Sequence, residues 1–229
     1  MKTLIFTLIF SGFCLSVNSQ ITDFNFSLGT STFEEKTPEV DFLYYPSLAF
    51  SVGFGAELPL KNNLSIYSGI QASFKQGSNT YRELGNGYKF EQNSLVSIVS
   101  TSIPLMAQYT IPIGRKRIQI GAGGFMGINI FATQNYDWKL IQDGEEYEGV
   151  GGGNLKFKDQ AKENEEFEIR RLDLGLKASI AYKMKNMTLR LDSEYGIRNL
   201  SQYDKSVGQF LTRSIWFSFA FPIQTKKEK

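Results

Sequence analysis

Residues 171–198 read RLDLGLKASIAYKMKNMTLRLDSEYGIR. In the first half Leu172, Leu174, Leu176, Ala178, Ile180 and Tyr182 alternate with Asp173, Gly175, Lys177, Ser179 and Lys183. In the second half Met187, Leu189, Leu191, Tyr195 and Ile197 alternate with Thr188, Arg190, Asp192, Glu194 and Arg198. A period of two marks strand, because successive side chains point to opposite faces. Lys185 and Asn186 separate the halves, so the stretch is a hairpin with a tight turn. One face is apolar and the other carries charge. A soluble sheet buries the apolar face, whereas a membrane barrel turns it to lipid and keeps the charges inside. Parity does not separate the two; the remaining chain does.

Six more alternating segments flank the hairpin: 23–31, 47–58, 64–74, 97–111, 117–131 and 210–221. In 47–58, Leu48, Phe50, Val52, Phe54, Ala56 and Leu58 oppose Ser51, Gly53, Gly55 and Glu57. In 117–131, Ile118, Ile120, Ala122, Met126, Ile128 and Ile130 oppose Gln119, Gly121, Gly123, Gly127 and Asn129, with Phe125 on the polar side. Connections 59–63, 112–116 and 184–186 are short, while 32–46, 75–96, 134–170 and 200–209 are long. Short turns at one end and long loops at the other are the mark of an up-and-down outer-membrane barrel, with turns periplasmic and loops outside. Segments of about ten residues or more match a tilted spanning strand. Small inward residues suit a narrow eight-stranded lumen. The expected fold is all-β, an eight-stranded antiparallel up-and-down transmembrane β-barrel. Two aromatic belts are expected at the lipid interfaces, Tyr109, Tyr182 and Phe221 at the turn end and Tyr44, Tyr45, Tyr136 and Trp138 at the loop end.

Composition narrows the function. Lys2 followed by the apolar run 4–17 and Val17-Asn18-Ser19 has the form of an export signal over 1–19, with the barrel domain over 20–229. That signal holds Cys14, the only cysteine, and the chain has no histidine. The mature chain is therefore expected to lack disulfides, thiol nucleophiles, imidazole bases and His metal ligands. A net charge of +2 is not the balance of a nucleic-acid-binding protein. No catalytic, cofactor-binding or metal site is marked.

Several stretches together resemble the PorT-like, porin-family outer-membrane β-barrel proteins. They are Phe26-Ser27-Leu28-Gly29, Gly53-Phe54-Gly55-Ala56-Glu57-Leu58-Pro59-Leu60, Ser102-Ile103-Pro104-Leu105, Ile120-Gly121-Ala122-Gly123-Gly124, Asp173-Leu174-Gly175-Leu176 and Phe217-Ser218-Phe219-Ala220-Phe221-Pro222. The resemblance runs from about Thr22 to the C-terminus. It implies an eight-stranded barrel of the OmpA/OmpX type in the outer membrane, and it implies no single activity. Barrels of this kind often end on an aromatic residue; here 222–229 follow Phe221.

On the polar face Glu57, Asp173, Lys177, Arg190, Asp192, Glu194 and Arg198 form a candidate lumen charge network. It is either an ion or solute path or an internal salt-bridge plug, and mixed signs on neighbouring strands favour the plug. In the long loop Asp137, Asp143, Glu145, Glu146, Glu148, Asp159, Glu163, Glu165, Glu166 and Glu168 outnumber the lysines. They bind a divalent cation or form a solvated loop, and the lack of EF-hand spacing favours the second. Residues 149–153, rich in glycine, form a flexible tip. The turn-end cations Lys61, Arg115, Lys116, Arg117, Lys183, Lys185, Lys226, Lys227 and Lys229 meet anionic headgroups or form a solvated rim. The expected function is structural or interaction-based, with outer-membrane lipids and, through loops 75–96 and 134–170, envelope proteins or external ligands as partners. Tyr81, Tyr88 and Trp138 lie in those loops. The alternatives are a narrow transport channel for small or hydrophobic solutes and a soluble lipocalin-like carrier.

Overall fold

The computed structural model describes residues 21–36, 43–85, 87–114, 116–157, 168–200 and 209–223. The strands are β1 (Ile21–Lys36), β2 (Leu43–Pro59), β3 (Leu64–Gly85), β4 (Tyr88–Ile113), β5 (Lys116–Gln142), β6 (Glu145–Asn154), β7 (Lys156–Phe157), β8 (Glu168–Ile169), β9 (Leu172–Lys183), β10 (Thr188–Gly196) and β11 (Gln209–Pro222). Eight of them close a ring in the order β1-β2-β3-β4-β5-β9-β10-β11, and β11 pairs back to β1. Every pairing in the ring is antiparallel. β6 adds to the upper part of β5 outside the ring, and β7 and β8 form a two-residue parallel pair.

The ring is inside-out relative to a soluble protein. Outward Leu191 and Ile180 are 49 % and 50 % exposed, whereas inward Lys177 and Arg190 are each 4 % exposed. Outward Leu, Ile, Val and Phe side chains run along all eight strands. Hydrocarbon is the medium in which such a surface is stable, and a closed ring leaves no unpaired backbone edge for it to solvate. The soluble lipocalin-like alternative is overturned by this orientation, because it requires the apolar face inside.

Several strands run further than the sequence alternation. Segment 75–96 is not a loop. β3 and β4 stay paired from Lys75↔Ile98 to Gly85↔Tyr88. Likewise β5 pairs with β6 from Thr133↔Asn154 to Gln142↔Glu145, around a turn in which Asp143 and Gly144 both have positive φ. This is the turn chemistry that matches strand twist in a two-residue hairpin. Residues 149–153 are strand rather than flexible tip: Trp138 lies over Gly149 and Tyr136 over Gly151, where a Cβ would meet the rings. An aromatic laid across a glycine covers the backbone that the glycine exposes.

Two register shifts change which face neighbouring residues occupy, one in β2 between Pro46 and Ala49 and one in β5. The β4–β5 register shifts from Val99↔Phe131 to Ser100↔Asn129, leaving Ile130 as an extra residue. Asn129 and Ala132 are both buried on the inner side while Ile130 and Phe131 are both exposed. A bulge of one residue reverses parity beyond it. Tyr136 and Trp138 therefore continue the inner face and are not part of an outward belt. Tyr109 and Phe221 are outward and exposed at the turn end, as is Tyr45 at the loop end. The side chain of Tyr44 and residues 1–20 lie outside the described residues.

Phe217 sits midway along β11 between exposed Arg213 and Phe221 and faces lipid. Phe217→Arg is expected to lower stability by about 2–4 kcal/mol, the cost of a cation near the bilayer midplane. Phe217→Leu is expected to cost less than about 1.5 kcal/mol. Urea unfolding in lipid vesicles measures both, and equal effects would contradict the lipid-facing assignment.

Candidate functional site

The lumen is filled in tiers, which follow from the inward residues in register order. At the turn end the Glu57 carboxylate pairs with the Lys183 ammonium. Gln119 Nε2 donates to Glu57 at 2.9 Å and to Ser65 at 3.3 Å. Above this, the Arg190 guanidinium lies 4.2 Å from the Tyr67 ring centre. That distance permits a cation–π contact, strengthened by the absence of bulk water.

The next tier holds most of the charge. Lys177 Nζ is 2.9 Å from Glu194 and 3.5 Å from Asp192. Lys75 Nζ reaches Glu194 from across the barrel at 3.1 Å. Asp173 accepts a hydrogen bond from the Thr212 hydroxyl at 3.0 Å. Lys75 also lies 5.3 Å from the Phe125 ring centre and 5.9 Å from that of Trp216. Gly175 makes room for the Phe125 ring, since a Cβ there would overlap it. Serine contacts knit the wall between these groups, including Ser27 with Ser218 at 2.8 Å and Ser73 with Ser100 at 2.9 Å.

Of the seven sequence-derived charges, Lys177, Asp192 and Glu194 thus meet directly. Arg190 and Asp173 are buried beside them through Tyr67 and Thr212, and Glu57 sits in the separate lower tier. Arg198 stands apart, two residues beyond the end of β10, with its backbone N–H directed to the Leu174 carbonyl at 3.2 Å. Sequence reasoning missed Lys75 and Tyr67. The signal for Lys75 was present, since it continues the inward parity of Gln71 and Ser73.

An apolar cap closes the loop end above the charges. Phe33, Val96, Ile98, Ala132, Ile169, Leu200 and Phe210 form one buried cluster, with Leu155 and Phe157 packed against it. Phe33 and Phe210 stack at 5.0 Å. The segment after β8 is tied in by Arg170 N–H to Leu200 O at 2.7 Å and Leu200 N–H to Phe210 O at 2.8 Å. The Asn199 side chain accepts from the Phe210 N–H at 2.7 Å.

Beyond the cap, β3 to β6 continue as a sheet. Tyr81, Phe90 and Trp138 form a row on its inner face, with centroid separations of 5.9 and 6.4 Å. The Glu83 carboxylate accepts from both Tyr88 and Tyr81 hydroxyls, which holds it below the ordinary glutamate range. The loop carboxylates do not converge. Asp137 accepts from Asn93 at 2.9 Å, Glu146 pairs with Lys139, and Glu145 accepts from Tyr147 at 2.6 Å. Asp159, Glu163, Glu165, Glu166 and the side chain of Glu168 lie outside the described residues. Among the described residues no three His, Cys, Asp or Glu side chains converge as metal ligands.

No curated protein matches the chain. Among solved structures it is similar to Neisserial surface protein A, with 10 % identity, 90 % of this chain and 100 % of that chain covered, and a TM-score of 0.35. It is similar to OprG from Pseudomonas aeruginosa at 9 % identity, with 90 % and 96 % covered and a TM-score of 0.44. Ail, the attachment invasion locus protein of Yersinia pestis, gives 12 % identity, 89 % and 99 % coverage and a TM-score of 0.32. The family model described as outer membrane protein beta-barrel domain matches residues 12–202. With an inside-out ring of eight antiparallel strands and a match over most of its length, the chain belongs to the outer membrane protein beta-barrel domain family.

Proposed function

We propose that this protein is a non-catalytic outer-membrane barrel whose lumen is a structural plug and whose loop-end sheet is an extracellular interaction surface. The observation that carries the reading is the contrast between the two parts. The lumen is occupied by paired charges and an apolar cap, while β3 to β6 project past it with aromatic and acidic side chains. The PorT-like branch of the family and cleavage of residues 1–19 on export belong to the same proposal and rest on the sequence motifs. A transport reading is disfavoured by the filled lumen. In planar bilayers the purified protein is expected to show no unit conductance, and steady channel openings would overturn the plug.

A buried charge left without its partner is costly, even where a complete pair adds little over apolar packing. Glu194→Gln leaves Lys75 without its carboxylate, so a loss of about 3–5 kcal/mol in vesicle unfolding experiments is expected. Lys75→Met combined with Glu194→Leu should recover most of that loss. A double variant as unstable as the single one would contradict a plug made by pairing.

The interaction surface is tested in living cells by placing a photo-crosslinking residue at Phe90, at Trp138 and, as a lumen control, at Ser73. Adducts with another envelope or external molecule are expected at the first two positions and not at the third. No adduct at either sheet position would sink the interaction reading.

A further inference from the structure

The wall of the barrel facing lipid is not evenly filled. At the turn end of β5, β9, β10 and β11 it holds a groove of about 190 Å³ lined by Ile118, Ile180, Tyr182, Leu189, Leu191 and Phe217. Ile118, Tyr182 and Leu189 make one row, directly paired across the strands. Ile180, Leu191 and Phe217 make the next row, two residues towards the loop end. At about 3.3 Å rise per residue the rows are roughly 7 Å apart along the strands. Between the rows the floor is the strand backbone at Ala181 and Arg190, whose side chains point to the lumen. The groove thus runs along the strands from the turn end, and its outward-facing lining is apolar apart from the Tyr182 hydroxyl; Arg190 also borders it, with its guanidinium turned into the lumen onto Tyr67.

Its mouth is cationic. Lys116 Nζ stands 5.5 Å from the Tyr182 ring centre, and Lys185 is exposed in the turn between β9 and β10. Lys183 is turned inward to Glu57 and is not part of the mouth. The short connections 59–63, 112–116 and 184–186 contain Lys61, Arg115, Lys116 and Lys185 and no Asp or Glu. No carboxylate on these turns competes for the lysines. The loop-end sheet has the opposite balance, with Glu83, Glu91, Asp137, Asp143, Glu145, Glu146 and Glu148 against Arg82, Lys89 and Lys139.

We propose that this groove seats one anionic phospholipid of the periplasmic leaflet, with an acyl chain against Tyr182, Leu189 and Phe217 and the phosphate between Lys116 and Lys185. A zwitterionic lipid presents the same chain but brings its own ammonium to the cationic mouth. The net attraction is therefore reserved for headgroups without one. The leaflet named here rests on the orientation proposed above; the site itself does not.

The test uses the full protein purified in detergent and titrated with dioleoyl phosphatidylglycerol or dioleoyl phosphatidylcholine under native mass spectrometry. One phosphatidylglycerol is expected to be retained in preference. Lys116→Gln and Lys185→Gln should each reduce that preference roughly fivefold, the effect of one cation near an anionic lipid surface. Lys61→Gln, on a different turn, should leave it unchanged. Leu189→Trp fills the groove without altering charge and should lower retention; Ile180→Phe serves if that variant does not fold, which migration on unboiled gels reveals. Equal retention of the two lipids, an unchanged preference in the double lysine variant, an equal loss in Lys61→Gln or retention unaffected by groove filling would each overturn the site. Orientation is read separately. The predicted mature chain has no cysteine, so Phe90→Cys labelled on intact cells by an impermeant maleimide, with Lys61→Cys unlabelled, places the groove in the periplasmic leaflet. The reverse labelling moves it to the other leaflet and overturns that part of the proposal.

Discussion

Hydrocarbon offers no hydrogen-bond partner, so each backbone N–H and C=O within it must be satisfied by the chain itself. The β1–β11 pairing is where this protein meets that demand. It runs from Asp23↔Pro222 to Lys36↔Gln209, joining the two ends of the barrel domain over the full height of the wall. Without it, two long strands would present open edges to lipid. With it, every ring strand has two neighbours, and the period-two alternation then sorts side chains into a lipid set and a lumen set.

Closure transfers the difficulty to the interior. Eight strands enclose little volume, so inward side chains touch one another across the axis. Lys75 on β3 and Lys177 on β9 approach the same Glu194 carboxylate on β10. An apolar filling would pack as well, and buried ion pairs are often no more stabilising than such a filling. The polar filling has another consequence. It keeps each strand half polar, so no stretch is a continuous apolar run of the kind that inserts as a membrane helix. The charges are thus compatible with a chain that must reach the outer membrane before it folds.

The sequence alternation exposed the β9–β10 hairpin well, since Leu176, Ile180 and Leu191 face lipid and Lys177, Arg190 and Glu194 face inward as their parity requires. Three features were hidden. Residues 76–94 carry polar side chains on both faces, broken only by Tyr81, Leu84, Tyr88 and Phe90 at no steady period of two, so their alternation does not distinguish strand from loop. The extra residue at Ile130 reverses parity, which removes Tyr136 and Trp138 from the belt they were expected to join. The apolar cap draws Phe33, Ile169, Leu200 and Phe210 from widely separated connections and strand ends, and only the closed ring brings these together. Lys75 is hidden for a related reason: the apolar side of the alternation stops at Phe74, and the Lys75 partner lies 119 residues away.

The geometry of the loop end bears on how the protein meets other molecules. A mobile loop must be ordered on binding, and that ordering subtracts from affinity. Here the hairpins are already paired, the rings of Tyr136 and Trp138 are laid over Gly151 and Gly149, and Glu83 is held by two tyrosine hydroxyls. Much of the ordering is therefore complete before any encounter. The aromatic row also continues the inner face above the cap rather than spreading into lipid. On the function proposed above, a surface of this kind favours recognition by shape and by ring contacts at fixed spacing, and such recognition needs no rearrangement of the charged tiers beneath it.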